Sequence, residues 1–161
     1  MFQRLARAIN EQDIREIEHS LEITIPVEVR EHYVEQNGGV PEPNCWYPED
    51  DEPLCIARFL PMKYPGKADD LTVESVYRKG ISKDYLIKNL VPFAVDWGTN
   101  FFCFNERGDV YFYAMDAWSG KLSTEENKRK AAKFLVGSFR EFIAGLKPEE
   151  TYENGSDENE E

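Results

Sequence analysis

The sequence predicts an α+β domain in which helices flank a predominantly antiparallel sheet with a central meander. Three observations lead to this fold class: a helix that ends at Asn37-Gly38-Gly39, three short aromatic segments between residues 90 and 115, and a capping sequence at Ser138. The 161 residues suit one domain followed by a tail. We place the domain at 1–147 and the tail at 148–161.

The first 21 residues carry apolar side chains at the spacing of an amphipathic helix. Asn10 fits the N-cap of the second group of apolar residues, with Asp13 at the N3 position. A break near Asn10 and a single bent helix both agree with this pattern. The apolar positions are Phe2, Leu5, Ile9, Ile14, Ile17 and Leu21.

The segment 25–39 is typical of a short helix with marked ends. Pro26 fits the first helical position, where its missing N–H is not needed. Val29 and Tyr33 define the inner face of this helix. The two glycines after Asn37 end it, because glycine adopts the left-handed conformation without a Cβ clash.

The next segments contain many turn-forming residues. Four prolines between Val40 and Pro53 argue against regular structure there. Residues 54–60 are apolar apart from Arg58 and predict a strand. Asp70 is the expected cap of a short helix that ends at Gly80, and its apolar residues are Val73, Val76 and Tyr77.

Residues 90–96, 100–105 and 109–115 are short and rich in aromatic and β-branched side chains. Turn residues, including Gly98 and Gly108, separate them, which predicts an antiparallel meander.

The C-terminal part of the domain contains a capping box. Ser138 can accept a hydrogen bond from the backbone of Glu141, whose side chain can reach back, and the helix is expected to continue to about Leu146. The segment 124–135 is charged first and apolar later, so helix and extended structure both fit it.

The formal net charge of −12 is concentrated in the tail. Residues 148–161 contain seven acidic side chains and no basic one, which leaves 24 acids and 19 bases in residues 1–147. We expect the tail to be disordered, since it lacks apolar periodicity. Its role as a solubilising segment, a competing polyanion or a partner-binding segment stays open. Nucleic acid is not an expected direct ligand, because phosphates require a basic face.

The three cysteines, Cys45, Cys55 and Cys103, show no CxxC spacing. Cys103 lies in an aromatic strand, where a buried inert thiol is expected. We expect a cytoplasmic protein with reduced thiols, and a Cys45–Cys55 disulfide is the alternative. Residues 1–9 do not resemble a signal peptide, and the apolar stretches are too short to span a bilayer.

The sequence predicts no catalytic residue, metal site or cofactor. His19 and His32 lie on different predicted helices without the spacing of a metal-binding pair. Cys103 is expected in the core and not as a nucleophile. The Gly38-Gly39 pair lacks the further glycines and the lysine of a phosphate-binding loop.

Taken in order, the motifs resemble those of the SUKH superfamily. The matching features are Ile25-Pro26, Asn37-Gly38-Gly39, Pro92-Phe93-Ala94, Asp96-Trp97-Gly98, Phe101 to Phe104, Gly108-Asp109-Val110-Tyr111 and the helix that starts at Ser138. The resemblance covers roughly residues 10–146. Thr99 stands where many members carry a second glycine, which affects the shape of that turn.

The resemblance implies a binding domain without enzymatic activity. Bacterial members typically neutralise a cognate toxin, often a nuclease, whereas fungal members are regulatory scaffolds of cell-wall synthesis. We favour the bacterial immunity type, acting as a monomer or weak dimer, because the chain lacks the long disordered flanks of the fungal proteins.

Two segments are candidates for contact with the toxin. The first is the proline-rich loop, where aromatic side chains precede an acidic run that suits the basic nucleic-acid site of a nuclease. Solvation alone also explains such a charged loop. The second is the turn before the aromatic strand, where Trp97 is either half-buried or an exposed anchor. The candidate residues are Trp46, Tyr47, Glu49, Asp50, Asp51, Glu52, Asp96, Trp97 and Asn100.

Overall fold

A computed structural model describes residues 1–49, 51–67 and 69–150. In these residues the helices are α1 (Glu11–Leu21), α2 (Val27–Glu35), α3 (Val73–Ser82), α4 (Thr124–Ala131) and α5 (Phe139–Ala144). The strands are β1 (Phe2–Gln3), β2 (Val40–Pro41), β3 (Cys45–Trp46), β4 (Leu54–Cys55), β5 (Arg58–Phe59), β6 (Val91–Val95), β7 (Phe101–Phe104), β8 (Val110–Tyr113) and β9 (Ala132–Val136). No helix within the described ranges is both long and apolar enough to cross a bilayer.

The central sheet has five antiparallel strands in the order β5-β6-β7-β8-β9. The predicted meander forms β6, β7 and β8, in which Phe101 pairs with Tyr113 and Phe104 pairs with Val110. Two further two-stranded sheets are β1-β2 and β3-β4. The predicted α+β class with a predominantly antiparallel sheet is confirmed.

The first ten residues are not helical, so the expected N-terminal helix is wrong. Phe2 pairs with Pro41 in the small β1-β2 sheet, and its ring packs against His32 and Phe59 at centroid distances of 4.9 and 4.8 Å. This tertiary pairing outweighs the helical spacing. The break at Asn10 is real, since its side chain accepts from the Asp13 N–H at 2.9 Å.

α2 ends at Glu35 and its C-cap Gln36 has an extended backbone, so the expected glycine cap is wrong and the Asn-Gly-Gly sequence follows the helix. Pro26 was expected at the first helical position, but it is the N-cap, and the helix begins one residue later at Val27. Gly38 and Gly39 have φ angles of 74° and 92°, in the left-handed region that glycine accepts. A Cβ atom on Gly39 would lie 2.7 Å from the Gln3 carbonyl oxygen, so the approach of the N-terminal segment excludes any side chain there.

The region 40–60 differs from the expectation in two ways. Within the proline-rich part, β2 and β3 form short strands. The expected strand at 54–60 is divided, because the chain changes partners: the Ile56 N–H bonds to Asn44, and the Ala57 N–H bonds to Val95 of β6.

The cap of α3 is Thr72 and not Asp70. The Thr72 hydroxyl accepts from the Ser75 N–H at 3.1 Å, and the helix continues through Gly80 to Ser82. Gly80 is required inside this helix because a Cβ atom would lie 2.2 Å from the Leu86 side chain.

The segment 124–135 contains both structures that its sequence allowed. It forms α4 up to Ala131 and then β9, where Ala132 pairs with Tyr113 of β8. Half of the predicted capping box of α5 is present, since the Ser138 hydroxyl accepts from the Glu141 N–H at 3.2 Å, whereas the Glu141 side chain does not bond back to the Ser138 N–H. The helix ends at Ala144, before the expected Leu146.

The core joins α2 and α5 to one face of the sheet. Tyr33 is fully buried, and its hydroxyl donates to the Leu60 carbonyl at 2.8 Å. The Phe93 ring contacts Phe139 and Phe142 of α5 at 5.0 and 5.8 Å. Cys103 is buried as expected, and burial raises the pKa of its thiol.

Cys45 and Cys55 form a disulfide, so the expectation of reduced thiols is wrong for this pair. The two residues lie directly opposite each other in the β3-β4 pairing, with their Cα atoms 4.1 Å apart. Facing positions of an antiparallel pair bring side chains together, which the ten-residue separation in sequence does not reveal. Reduced thiols were the reason for expecting a cytoplasmic location, so the disulfide removes that reason.

The end of the described chain packs on the β3-β4 hairpin. The Lys147 backbone exchanges hydrogen bonds with Cys45, and the Tyr47 hydroxyl donates to the Pro148 carbonyl and accepts from the Glu150 N–H. The first residues of the acidic tail thus contact the domain. Residues 151–161, for which disorder was expected, lie outside the described residues.

Replacing His32 by phenylalanine should reduce the loss of stability on acidification. Burial among aromatic rings lowers the pKa of His32 from 6.5 to about 4, so the folded state favours the neutral ring. Its stabilising effect is complete above pH 6.5 and is lost as the pH falls towards 4, by about 3 kcal/mol. Urea unfolding at pH 7 and pH 4 measures this, and equal pH dependence of both proteins would contradict it.

Removing the disulfide with Cys45→Ala and Cys55→Ala should lower the free energy of unfolding by about 2–3 kcal/mol, because the cross-link restricts the unfolded chain. Guanidinium unfolding with and without dithiothreitol provides the measurement. The reductant should destabilise the wild type and leave the double variant unchanged. If dithiothreitol did not change the free energy of unfolding of the wild type, the disulfide would not be stabilising.

Two truncations should separate the docked from the undocked part of the tail. Ending the chain after Glu150 should change the free energy of unfolding by less than about 0.5 kcal/mol. Ending it after Lys147 removes both hydrogen bonds of Tyr47 and should cost about 1 kcal/mol. Thermal unfolding of the two proteins tests this, and an equal effect of both truncations would refute it.

Candidate partner-binding surface

Trp97 lies on the turn between β6 and β7, and 73% of its surface is exposed. The Asp96 carboxylate holds this turn, since it accepts from the backbone N–H groups of Gly98 and Asn100 at 2.8 and 2.9 Å. Thr99 has a φ of 67°, which shows that the turn tolerates a residue other than glycine at this position. Of the two alternatives for Trp97, the structure has the exposed side chain.

Asn100 is a structural residue of the same turn. It is 4% exposed, and its side-chain amide donates to the carboxylates of Asp96 and Asp116 at 2.9 and 3.2 Å. Its carbonyl oxygen accepts from the Asp116 N–H at 3.1 Å. Both polar ends of Asn100 are therefore engaged inside the protein, as are both oxygens of the Asp96 carboxylate, whereas the Trp97 side chain is exposed.

Trp46 and Tyr47 serve the packing of the disulfide hairpin. The Trp46 ring stacks on Phe142 of α5 at 5.3 Å and covers Gly145, where a Cβ atom would lie 2.6 Å from the ring. The Tyr47 hydroxyl bonds to Pro148 and Glu150. Both side chains are half-buried, so neither is a freely projecting anchor.

The acidic run of the hairpin is placed in solvent. Glu49, Asp51 and Glu52 are exposed, whereas Asp50 lies outside the described residues. Asp51 forms an ion pair with Lys133 of β9, and the hydrogen bond from this lysine lowers the pKa of the Asp51 carboxyl. The contact fixes one carboxylate against the sheet and leaves Glu49 and Glu52 available.

The hairpin and the Trp97 turn are structurally connected. The chain leaves β4 at Cys55 and pairs with the end of β6 two residues later, where the Ala57 N–H donates to the Val95 carbonyl at 2.8 Å. Val95 directly precedes Asp96. The two candidate segments therefore leave the sheet from neighbouring positions.

Two further groups of a type that binds metals or takes part in catalysis lie in structural contacts: the Cys45, Cys55 and Glu149 set and His32. Among the described residues, Cys45, Cys55 and Glu149 are the set of potential ligands close enough for a metal ion, but the two sulfurs are joined to each other. The His32 ring is packed against Phe59 and Phe139, at centroid distances of 5.6 and 5.4 Å. This histidine therefore has an aromatic packing role.

Sequence reasoning missed a groove of about 400 Å³ between α2 and α5. Glu28, Glu31 and Glu35 line it on one side, and Phe139 and Ile143 on the other, with His32, Arg140 and Ala144 completing the lining. The three glutamates follow each other at intervals of three and four residues, which places them on one helix face. This spacing was a usable signal in the sequence.

A comparison with models of protein families supports the resemblance that the order of motifs indicated. The family model described as SMI1 / KNR4 family (SUKH-1) matches residues 8–145, which includes every element from α1 to α5. No curated protein matches the sequence. Because the match extends over most of the chain and over its whole central sheet, the chain belongs to the SMI1/KNR4 (SUKH-1) family.

Proposed function

We propose that this protein is a non-enzymatic immunity protein that binds and neutralises a cognate toxin. Membership of the SUKH-1 family supports a protein-binding role of the immunity or regulatory type. The observation that carries the proposal is Trp97, which is exposed on a turn held by several hydrogen bonds. An exposed tryptophan on a turn with a fixed backbone has the properties of an interface anchor, because tryptophan is enriched among the residues that contribute most to binding.

The charge around this anchor suggests a basic partner. Asp96 and Asp116 lie at the turn, and Glu49 and Glu52 are exposed on the hairpin, whose Asp51 reaches Lys133 of β9. A nuclease toxin carries basic residues where it holds phosphate, so these carboxylates would accelerate its association. Catalysis, metal binding and direct nucleic-acid binding have no place in this proposal, and the protein acts as a monomer or weak dimer.

The regulatory scaffold of the fungal type is the alternative, since the same family includes both types. Affinity separates the two functions. An immunity protein must silence a lethal enzyme, which requires a nanomolar or lower dissociation constant, about 12 kcal/mol of binding free energy. A scaffold works with micromolar contacts to several partners.

Trp97→Ala should accelerate dissociation of the captured partner, because a buried anchor contributes mainly to the lifetime of a complex. Phe134→Ala is the matched control, since Phe134 is another exposed aromatic side chain, on β9 and away from the turn. Replacing Glu49, Asp50, Asp51 and Glu52 by serine should slow association and weaken its dependence on salt.

The measurement is surface plasmon resonance with the partner purified by affinity capture from the source cells, together with an assay of the partner's toxicity. Nanomolar binding that abolishes toxicity, reduced by Trp97→Ala and retained by Phe134→Ala, is the expected result. Micromolar binding to several partners without protection would favour the scaffold. Full binding by both the Trp97 and the hairpin variants would exclude this surface.

A further inference from the structure

The groove between α2 and α5 is shaped by contacts that tie the two helices together. The Glu28 carboxylate accepts from the Ser138 hydroxyl at 2.9 Å and from the Arg140 N–H at 3.0 Å. These hydrogen bonds lower the pKa of the Glu28 carboxyl, which is therefore ionised at neutral pH. The groove is thus a rigid feature of the fold.

The charge of the groove is negative at neutral pH. Glu31 pairs with Arg140 at 2.8 Å, but both side chains of this pair are more than half exposed, so water competes with the interaction. Glu35 is exposed and joins none of the ion pairs formed within the described residues. Three carboxylates therefore face one guanidinium.

His32 adds no positive charge to this balance. It lines the groove, and burial lowers its pKa to about 4, which keeps the ring neutral at pH 7. Ile143 and Ala144 supply an accessible apolar wall beside the carboxylates, and the buried Phe139 lies beneath them. An occupant must therefore offer cationic groups next to an aliphatic side chain.

We propose that this groove binds a cationic segment of a protein partner, in which an aliphatic side chain packs against Ile143 and Ala144 while lysine or arginine side chains meet Glu31 and Glu35. The apolar wall favours a peptide segment over a free cation, because a free cation gains nothing from that wall. Charge complementarity identifies the partner chemistry.

This surface is distinct from the one around Trp97. Gly108, in the turn between β7 and β8, lies against Pro26 at the start of α2, since a Cβ atom added to Gly108 would be 3.7 Å from the Pro26 side chain. The Trp97 turn is at the other end of the central strands. The groove proposal therefore does not depend on the proposed function, and the two can fail separately.

The experiment is a ¹⁵N NMR titration of the full chain with the peptide acetyl-Ala-Arg-Leu-Arg-Ala-amide. The comparison peptides replace both arginines by glutamate, or leucine by serine. The test variant is Glu31→Lys with Glu35→Lys, which leaves the structural Glu28 intact. The matched control is Glu16→Lys with Glu22→Lys, because both glutamates are exposed and lie on or next to α1.

We expect chemical-shift changes concentrated at residues 28–35 and 139–144. The test variant should bind the arginine peptide at least about tenfold more weakly, which corresponds to about 1.4 kcal/mol. The control variant and Trp97→Ala should bind it like the wild type, and both comparison peptides should bind more weakly. Shifts spread over the surface, equal losses in test and control variants, or no binding at all would overturn the proposal.

Discussion

The close approach of three chain segments at the end of α2 is the constraint on which the rest of the structure depends. The Asn37 side chain donates to the Arg7 and Met62 carbonyls and accepts from the Met62 N–H, while the Gly39 carbonyl accepts from Phe59 of β5. Backbone groups buried in this way require partners, and here one buried asparagine supplies them. The position of α2 against the sheet follows from these contacts, and with it the groove that α2 forms with α5.

Two turns of the central meander use the same hydrogen-bonding scheme with different results. Asn105 accepts from two N–H groups of the β7-β8 turn and bonds to Asp109, much as Asp96 accepts from its own turn and bonds to Asn100. Of these two turns, the one between β6 and β7 exposes a tryptophan. The hydrogen bonds of this turn do not involve the Trp97 ring, and single exposed apolar side chains are common on protein surfaces.

The hairpin shows how one segment combines stability with surface charge. Its disulfide joins the two strands, and the stacking of Trp46 on Phe142 and the hydrogen bonds of Tyr47 hold the hairpin on the domain. In the sequence, Trp46 and Tyr47 directly precede the acidic run. In the structure, these two side chains instead contact α5 and the end of the described chain. Glu49 and Glu52 are exposed on the hairpin, and Trp97 is exposed on the turn between β6 and β7.

The sequence by itself determined the meander and the N-caps at Asn10 and Ser138, because these depend on neighbouring residues and on side-chain alternation. Only the tertiary structure decided that the N-terminal residues form a strand and that Cys45 meets Cys55, since both depend on pairing between distant segments. The same holds for the site. Sequence composition singled out Trp97 and the acidic run, but which tryptophan is exposed depends on what α5 and the strands bury.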